Sequence, residues 1–132
     1  MLSLTNINSF YGASHILHDF SLTAPEQEIL AVVGRNGVGK TTLLKTIMGL
    51  TDKCTGELVL GGGDIGAKST FESARAGIGY VPQGRQIFPD LPVQENLRKG
   101  MAGSKTEALA LLDDILGLFP RLQRLLDRRG GA

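Results

Sequence analysis

Two stretches near the start of the chain alternate between apolar and polar residues, as strands do when one face is buried. Residues 2–10 alternate imperfectly, which predicts a strand near the edge of a sheet with Phe10 in the core. Residues 16–23 alternate more regularly and place His18 on the apolar face, whereas His15 lies near a turn. We therefore expect a small antiparallel β layer at the start of the fold.

Two further runs have the pattern of buried strands. Residues 28–33 end in a continuously apolar run, which is typical of a strand covered on both faces in a parallel sheet. Residues 78–81 form a second short run of this kind, and Pro82 ends it. Between these runs, residues 57–60 again have the pattern of a strand.

The remaining periodic segments have helical spacing. Residues 42–50 carry one apolar stripe, and helices are also predicted for residues 71–75, 93–99, 106–119 and 121–128. Asp113 and Asp114 follow an apolar run, but because Ala and Leu favour helices we place both carboxylates on a solvated helix face. Strands followed by strand–helix units indicate an α/β core behind the β layer.

Composition narrows the possible functions. The 132 residues, 42% of them hydrophobic, suffice for one domain with a core, and a net charge of +1 argues against nucleic-acid binding by the whole chain. A single cysteine, Cys54, excludes an intramolecular disulfide and a cysteine-based zinc module. No Lys or Arg precedes Arg35, and no apolar run approaches the roughly 18 residues of a membrane helix, so we expect a soluble cytoplasmic chain without direct membrane insertion.

Residues 34–41 match the phosphate-binding loop G-x-x-x-x-G-K-[ST] and stand between the predicted strand 28–33 and the predicted helix. Glycine at three positions allows consecutive backbone N–H groups to converge on phosphate oxygens at the positive end of a helix dipole. Lys40 is placed for the β- and γ-phosphates, Thr41 for Mg²⁺ and Thr42 for the α-phosphate side. The nucleotide-binding residues predicted from this loop are Gly34, Asn36, Gly37, Gly39, Lys40, Thr41 and Thr42.

Four blocks of sequence together resemble the first half of an ABC transporter nucleotide-binding subunit, similar to the importer ATPases for branched-chain amino acids and for urea or short amides. The blocks are FYGASHIL at 10–17, GRNGVGKTTLLKTIMGL at 34–50, AGIGYVPQGRQIFPDLPVQENLRKG at 76–100 and LFPRLQRLLDRRGG at 118–131. The resemblance implies a P-loop NTPase, RecA-like core of α/β class. Residues 1–91 would form the β layer and the P-loop core, and residues 92–132 the start of a helical subdomain.

The resemblance assigns two more site residues. Tyr11 matches the aromatic residue that stacks on adenine, which suits a flat ring at a turn beside Gly12. Gln83 matches the glutamine whose amide contacts Mg²⁺ and the attacking water. The implied catalytic residues are therefore Gln83 and Lys40, the metal-contacting residues are Thr41 and Gln83, and the cofactors are ATP and Mg²⁺.

The resemblance also implies partners and a location. Such subunits dimerise with a second ATP-binding subunit and couple ATP hydrolysis to transport through transmembrane permease subunits, at the inner face of the plasma membrane. The segment following Gln83 resembles the surface that senses the permease. The arginines of residues 121–129 are interpreted as the polar face of the last helix and not as a nucleic-acid site.

The sequence departs from the family pattern most at its end, which lies before the signature segment, the acidic strand end that binds Mg²⁺ and the later histidine. His15 and His18 both precede the P-loop and supply none of these. We therefore expect a truncated fold that does not turn over ATP alone and is poorly soluble or molten. A free-standing small P-loop kinase and a non-catalytic nucleotide-binding module remain open as alternatives.

Overall fold

The computed structural model describes residues 1–66, 68–84, 86–101 and 105–131, with the backbone alone for residues 105–109. The chain divides into two compact units, Met1–Tyr80 and Val81–Ala132. Each unit has its own secondary structure, and each is described separately below.

The first unit is built on a four-stranded antiparallel sheet in the order β2-β1-β3-β4. The strands are β1 (Leu2–Tyr11), β2 (Ser14–Ala24), β3 (Lys53–Leu60) and β4 (Gly63–Asp64). The expected antiparallel β layer is thus present. β1 lies next to the edge strand β2, near the edge as expected, and it also pairs with β3 on its other side.

A bulge in β1 changes which of its side chains face the core. Asn6 has a positive φ of 51°, and the pairing register shifts at this position on both sides of the strand. Leu4 before the bulge and Ile7 after it are both buried, although strict alternation would place them on opposite faces. The prediction of Phe10 as a core residue is therefore wrong: Phe10 is half-buried and stacks on His15, with ring centroids 4.2 Å apart.

A similar irregularity occurs in β2 at Asp19, whose φ is 44°. Leu17 is buried, and Phe20 and Leu22 pack against the same core. The prediction that His18 lies on the apolar face is wrong, because His18 is exposed and its ring contacts that of His15. His15 stands next to the turn, as expected.

Helix α1 (Lys40–Ile47) completes the core of this unit through Leu43, and it begins two residues before the predicted apolar stripe. The core side chains come from the sheet, the helix and the segment after β4: Leu4, Ile7, Leu17, Leu43, Leu58 and Ile65. The hydroxyls of Ser9 and Thr46, both buried, lie 2.7 Å apart and join β1 to α1. Helix α2 (Thr70–Arg75) is also present as expected and begins with a capping box of Ser69 and Glu72.

The two predicted parallel strands are not formed. Residues 28–33 and 78–81 have no regular secondary structure, and Ile29, Val33 and Val81 are 100%, 88% and 91% exposed. A strand buried on both faces needs hydrogen-bonded neighbours and covering layers. Within the described ranges, no segment pairs with either run.

The second unit contains α3 (Val93–Lys99), α4 (Lys105–Leu118) and the 3₁₀ helix Pro120–Leu125. Helices α3 and α4 occur where the sequence predicts them, and Asp113 and Asp114 are exposed on α4, as expected. The α-helix predicted over 121–128 is wrong. Its residues form the 3₁₀ helix and then a turn, after which Arg129 bridges to Pro92.

Asn96 holds the loop of this second unit together. Its side-chain Oδ1 accepts a hydrogen bond from the backbone N–H of Phe88 at 2.8 Å, and its Nδ2 donates to the carbonyls of Phe88, Leu91 and Pro92. The last residues close on the same loop, because Gly130 donates its N–H to the carbonyl of Leu91 at 2.9 Å. One amide side chain thus satisfies backbone groups that the irregular loop would otherwise leave unpaired.

Candidate nucleotide-binding site

The P-loop turns into helix α1 through glycines in the left-handed region. Gly37 has φ 83°, and Gly39, the N-cap of α1, has φ 100°. A Cβ on Gly39 would lie 3.0 Å from Leu17 Cδ2 in β2. Glycine is therefore required here both by the backbone conformation and by the close approach of the loop to the sheet.

Unpaired backbone N–H groups surround this turn. The first intrahelical bond of α1 runs from the N–H of Leu43 to the carbonyl of Gly39, so the N–H groups of residues 40–42 have no acceptor within the helix. The N–H groups of residues 35–39 likewise have no acceptor among the described residues. Donors gathered at the positive end of a helix fit a phosphate group, which can accept several hydrogen bonds at once.

The side chain of Lys40 folds back onto the P-loop. Its Nζ donates to the carbonyl of Gly34 at 2.7 Å and to that of Arg35 at 2.6 Å. The ammonium group is thus held at the loop by two neutral acceptors, which it can exchange for phosphate oxygens. The residue that the sequence assigns to the β- and γ-phosphates lies against this loop.

The two threonines that follow differ in exposure. Thr41 is exposed, which suits a hydroxyl that ligates a metal ion, whereas Thr42 is only 8% exposed. The Thr42 carbonyl accepts a hydrogen bond from the Thr46 hydroxyl at 2.8 Å. The α-phosphate role of Thr42 stays a prediction, and its low exposure favours a contact through the backbone N–H rather than the side chain.

Tyr11 lies at the end of β1 and contacts the P-loop helix. It is half-buried, and Nζ of Lys45 in α1 lies 5.9 Å from the centroid of its ring. The turn after Tyr11 is fixed by Asp52, whose carboxylate accepts a hydrogen bond from the N–H of Gly12 at 2.6 Å. The pairing of β1 within the sheet therefore places the ring that is predicted to stack on adenine next to α1, the helix that follows the P-loop.

Lys45 and Asp52 are the residues that sequence reasoning did not assign. Lys45 is five positions after Lys40 and belongs to no motif, so its contact with Tyr11 emerges only from the packing of α1 on the sheet. Asp52 acts across a separation of 40 residues. Neither residue carries a local signal in the sequence.

Gln83, the other predicted catalytic residue, is exposed and belongs to the second unit. Its role at Mg²⁺ and at the attacking water stays a prediction. Among the described residues, no group of three His, Cys, Asp or Glu side chains could hold a metal ion. The Thr41 hydroxyl would supply one ligand to a magnesium ion at this loop, and the nucleotide's own phosphates would supply others.

Cys54, in β3, is a free thiol. Burial raises its pKa above the ordinary value of 9.0, and a hydrogen bond with Ser9 opposes this change. The thiolate is the reactive form of cysteine, so the Cys54 thiol is less reactive at neutral pH than a cysteine of ordinary pKa.

The ABC transporter family profile matches residues 17–130, which is most of the chain. The chain belongs to the ABC transporter family. The high-affinity branched-chain amino acid transport ATP-binding protein BraG of Pseudomonas aeruginosa is 35% identical over 133 residues, covering 100% of this chain and 57% of that protein. The probable branched-chain amino acid transport ATP-binding protein LivF of Archaeoglobus fulgidus is 37% identical, covering 100% and 56%.

A third relative of this ABC transporter chain is named for a different solute. The maltose/maltodextrin import ATP-binding protein MalK of Mannheimia succiniciproducens is 36% identical over 133 residues, covering 99% of this chain and 35% of that protein. The chain thus spans little more than half of the length of BraG and LivF, and about a third of MalK.

A solved ATP-binding subunit of an ABC transporter superimposes with a TM-score of 0.81 at 27% identity, covering 98% of this chain and 54% of its own. The predicted fold class, a P-loop NTPase core with an antiparallel β layer, is confirmed at the level of the whole fold. No helix in the described part of this ABC transporter chain is long and apolar enough to cross a membrane.

Proposed function

We propose that this chain is the nucleotide-binding part of the ATP-binding subunit of an ABC importer. The observation that carries the proposal is the P-loop itself, in which unpaired backbone N–H groups and the Lys40 ammonium lie together at the start of α1. This arrangement suits the β- and γ-phosphates of ATP, and the family membership agrees with it. Residues 1–91 would supply the β layer and P-loop core, and residues 92–132 the start of the helical subdomain.

Within this proposal each site residue has a role that follows from its chemistry. The Tyr11 ring stacks on adenine, and the backbone of residues 34–39 together with Lys40 holds the phosphates. The Thr41 hydroxyl ligates Mg²⁺, which neutralises charge on the phosphates. Gln83 offers an amide oxygen to the metal ion and an amide N–H to the attacking water, because an amide presents an acceptor and a donor side by side.

The proposed solute is a branched-chain amino acid, with urea or a short amide as the other candidate. The printed names of BraG and LivF support the first, whereas the second rests only on the resemblance of the sequence blocks. Uptake of labelled leucine and of labelled urea, measured in host cells with and without the gene, would separate them. Loss of maltose uptake instead would contradict both candidates.

The proposed partners are transmembrane permease subunits and a second ATP-binding subunit, with the chain peripheral to the inner face of the plasma membrane. A groove in the second unit suits a protein partner. Its volume is about 470 Å³, and its lining residues include Ile87, Phe88 and Leu97. Ile87 and Phe88 are 45% and 56% exposed, so apolar surface is available there for a permease segment.

The decisive test is the affinity of the chain for ATP with and without the Lys40 ammonium. Lys40→Ala removes a charge-assisted contact worth roughly 1.5–3 kcal/mol, so we expect ATP affinity to fall by at least about tenfold. Lys53→Ala removes the same charge from an exposed position in β3 and should leave affinity unchanged. Calorimetric titration of both variants measures this, and equal affinity for Lys40→Ala and the unchanged chain would overturn the proposal.

A non-catalytic nucleotide-binding module is the second candidate, because the P-loop backbone and Lys40 are sufficient to bind phosphates. It predicts the same loss of affinity in Lys40→Ala but no phosphate release even beside the proposed partners. The small-kinase alternative is disfavoured by the family membership. Transfer of phosphate from ATP to a nucleotide acceptor would decide for it.

A further inference from the structure

Asp52 holds the backbone on both sides of Tyr11. Its carboxylate accepts a hydrogen bond from the N–H of Gly12 at 2.6 Å, and its own backbone N–H donates to the carbonyl of Phe10 at 3.2 Å. We propose that Asp52 is a positioning residue for nucleotide binding, which fixes the Tyr11 ring at the place where it stacks on the base. The inference rests on the proposed nucleotide-binding function and deepens it.

The carboxylate of Asp52 lies where the strand pairing of the sheet ends. The β1–β3 ladder ends at Phe10, whereas on its other side β1 pairs with β2 as far as Tyr11 and Ser14. Two residues join β1 to β2, and the N–H of Gly12, the first of them, lies outside the ladder. Because Asp52 supplies the acceptor for that N–H, the backbone at Tyr11 is held on both sides and not by β2 alone.

The place of Asp52 is in turn set by the end of α1, the helix that follows the P-loop. The N–H of Leu50 donates to the carbonyl of Lys45 at 2.8 Å, and Gly49 between them has a φ of 67°. This arrangement closes the C-terminal end of a helix and leaves little freedom to the residues that follow. Only Thr51 separates the closed end from Asp52. The base end of the site is therefore tied to the helix whose start faces the phosphates.

A ring contributes most to affinity when it is held in its stacking position before the ligand binds. A ring that samples several positions must be ordered on binding, which offsets part of the stacking free energy. A Cβ on Gly12 would meet nothing within 4 Å, so no side-chain packing at this residue restrains the turn. The contribution of Asp52 to affinity thus depends on two things: the Tyr11 ring and a base in the ligand.

Calorimetric titration with ATP and with tripolyphosphate, which has the phosphates but no base, tests the proposal. We expect Asp52→Ala to raise the Kd for ATP by about fivefold and to leave the Kd for tripolyphosphate unchanged. Asp52→Asn keeps an oxygen acceptor for the Gly12 N–H and should bind ATP within about twofold of the unchanged chain. Asp64→Ala is the matched control, because Asp64 accepts a hydrogen bond from the N–H of Gly66 at 2.8 Å. It should change neither Kd.

A double-mutant cycle with Tyr11→Ala separates positioning from a general effect on the fold. If Asp52 acts through the ring, Asp52→Ala has no further effect on ATP affinity in a chain that already carries Tyr11→Ala. The same factor with and without the ring would contradict the proposal. So would an unchanged Kd for ATP in Asp52→Ala, a weaker binding of tripolyphosphate by that variant, or a failure of Asp52→Asn to restore the affinity.

Lys40→Ala distinguishes a failure of this inference from a failure of the proposed function. The Lys40 ammonium contacts phosphates and not the base, so Lys40→Ala should weaken the binding of both ligands. If it does and the Asp52 variants bind normally, only the role of Asp52 is refuted. If Lys40→Ala binds both ligands as the unchanged chain does, the nucleotide-binding proposal itself is refuted.

Discussion

The ring of Tyr11 is positioned by the sheet on one side and approached by Lys45 on the other. An aromatic ring stacks on any base with little regard to the base edge, at roughly 1–3 kcal/mol per base. We therefore expect Tyr11→Ala to weaken ATP and GTP binding by a similar factor, whereas Tyr11→Phe should bind both normally. Titration of each variant with both nucleotides measures this. A loss confined to ATP would indicate a hydrogen-bonding pocket for adenine instead.

Gly56, opposite the bulge of β1, is the tightest glycine position in the sheet. A Cβ there would overlap the carbonyl oxygen of Asn6 and lie 2.7 Å from that of Thr5, and the φ of Gly56 is 105°. We expect Gly56→Ala to lower the free energy of unfolding by at least about 2 kcal/mol, because the backbone must move. Urea unfolding followed by circular dichroism measures the change.

Gly62→Ala is the matched control for this substitution. Its φ of 84° carries a similar conformational cost, but a Cβ there meets nothing within 4 Å. The free energy of unfolding of Gly62→Ala should fall by only about 1–2 kcal/mol, which is the cost of placing a non-glycine residue in the left-handed region. Equal losses in the two variants would show that the contact with Asn6 contributes nothing.

At the scale of single residues, the P-loop could be predicted from the sequence. Which side chains of β1 face the core could not. A motif specifies backbone chemistry by residue type, so the placement of Lys40 against its own loop follows from the pattern. The faces of β1 depend instead on a bulge at Asn6, which adopts a positive φ although it is not glycine. One such irregularity moves Phe10 from the expected core to the outer side, and no local signal marks it.

Among the elements, helix α2 depends on its capping box. Hydrogen bonds from the Ser69 backbone N–H and then from its hydroxyl lower the pKa of the Glu72 carboxyl below the ordinary value of 4.5. A lowered folded-state pKa stabilises the fold at pH values above the unfolded-state pKa. This contribution is lost as the pH falls from about 4.5 through the lower, folded-state pKa.

The expected result is a thermal midpoint that falls with acidification below pH 4.5 more steeply in the unchanged chain than in Glu72→Gln. The glutamine keeps a hydrogen-bond acceptor but does not titrate. Melting curves at intervals from pH 3 to pH 7 measure the difference. Glu26, whose pKa is lowered by its hydrogen bond to the N-terminal amine and then by that group's charge, titrates in both proteins and cancels in the comparison. Parallel pH profiles would contradict the role of Glu72.

The predicted elements that formed have either local support or a partner within the described residues. Helix α1 has an apolar stripe, α2 has a capping box, and β1 and β2 are joined by a short turn. β3 is distant from β1 in sequence, but the two strands pair along most of their length. Residues 28–33 have an equally strong apolar pattern, but a parallel strand depends on partners from distant sequence. The apolar pattern therefore predicted that residues 28–33 can form a buried strand. It could not predict whether the described residues include strands that pair with them.

For the whole molecule, we expect no steady-state ATP turnover by the 132-residue chain. Rapid hydrolysis needs preorganised groups around both the phosphates and the attacking water. Among the described residues, no carboxylate hydrogen-bonds to the P-loop. A coupled phosphate-release assay measures turnover, with Lys40→Ala as the control for contaminating ATPases. Release that Lys40→Ala abolishes would contradict the prediction and return attention to Asp113 as a catalytic carboxylate.

The hydrogen-bonded loop around Asn96 gives the second unit a different response to temperature from the first. The heat capacity of unfolding grows with the apolar area that unfolding exposes, and it sets how strongly stability curves with temperature. Leu116 is the one buried apolar side chain in the described part of residues 81–131, whereas six such side chains form the core of the sheet unit. Cooling therefore weakens the sheet unit, whose stability is hydrophobic, and leaves the unit held by Asn96 nearly unchanged. Near freezing, the unit with the smaller core is the less affected of the two.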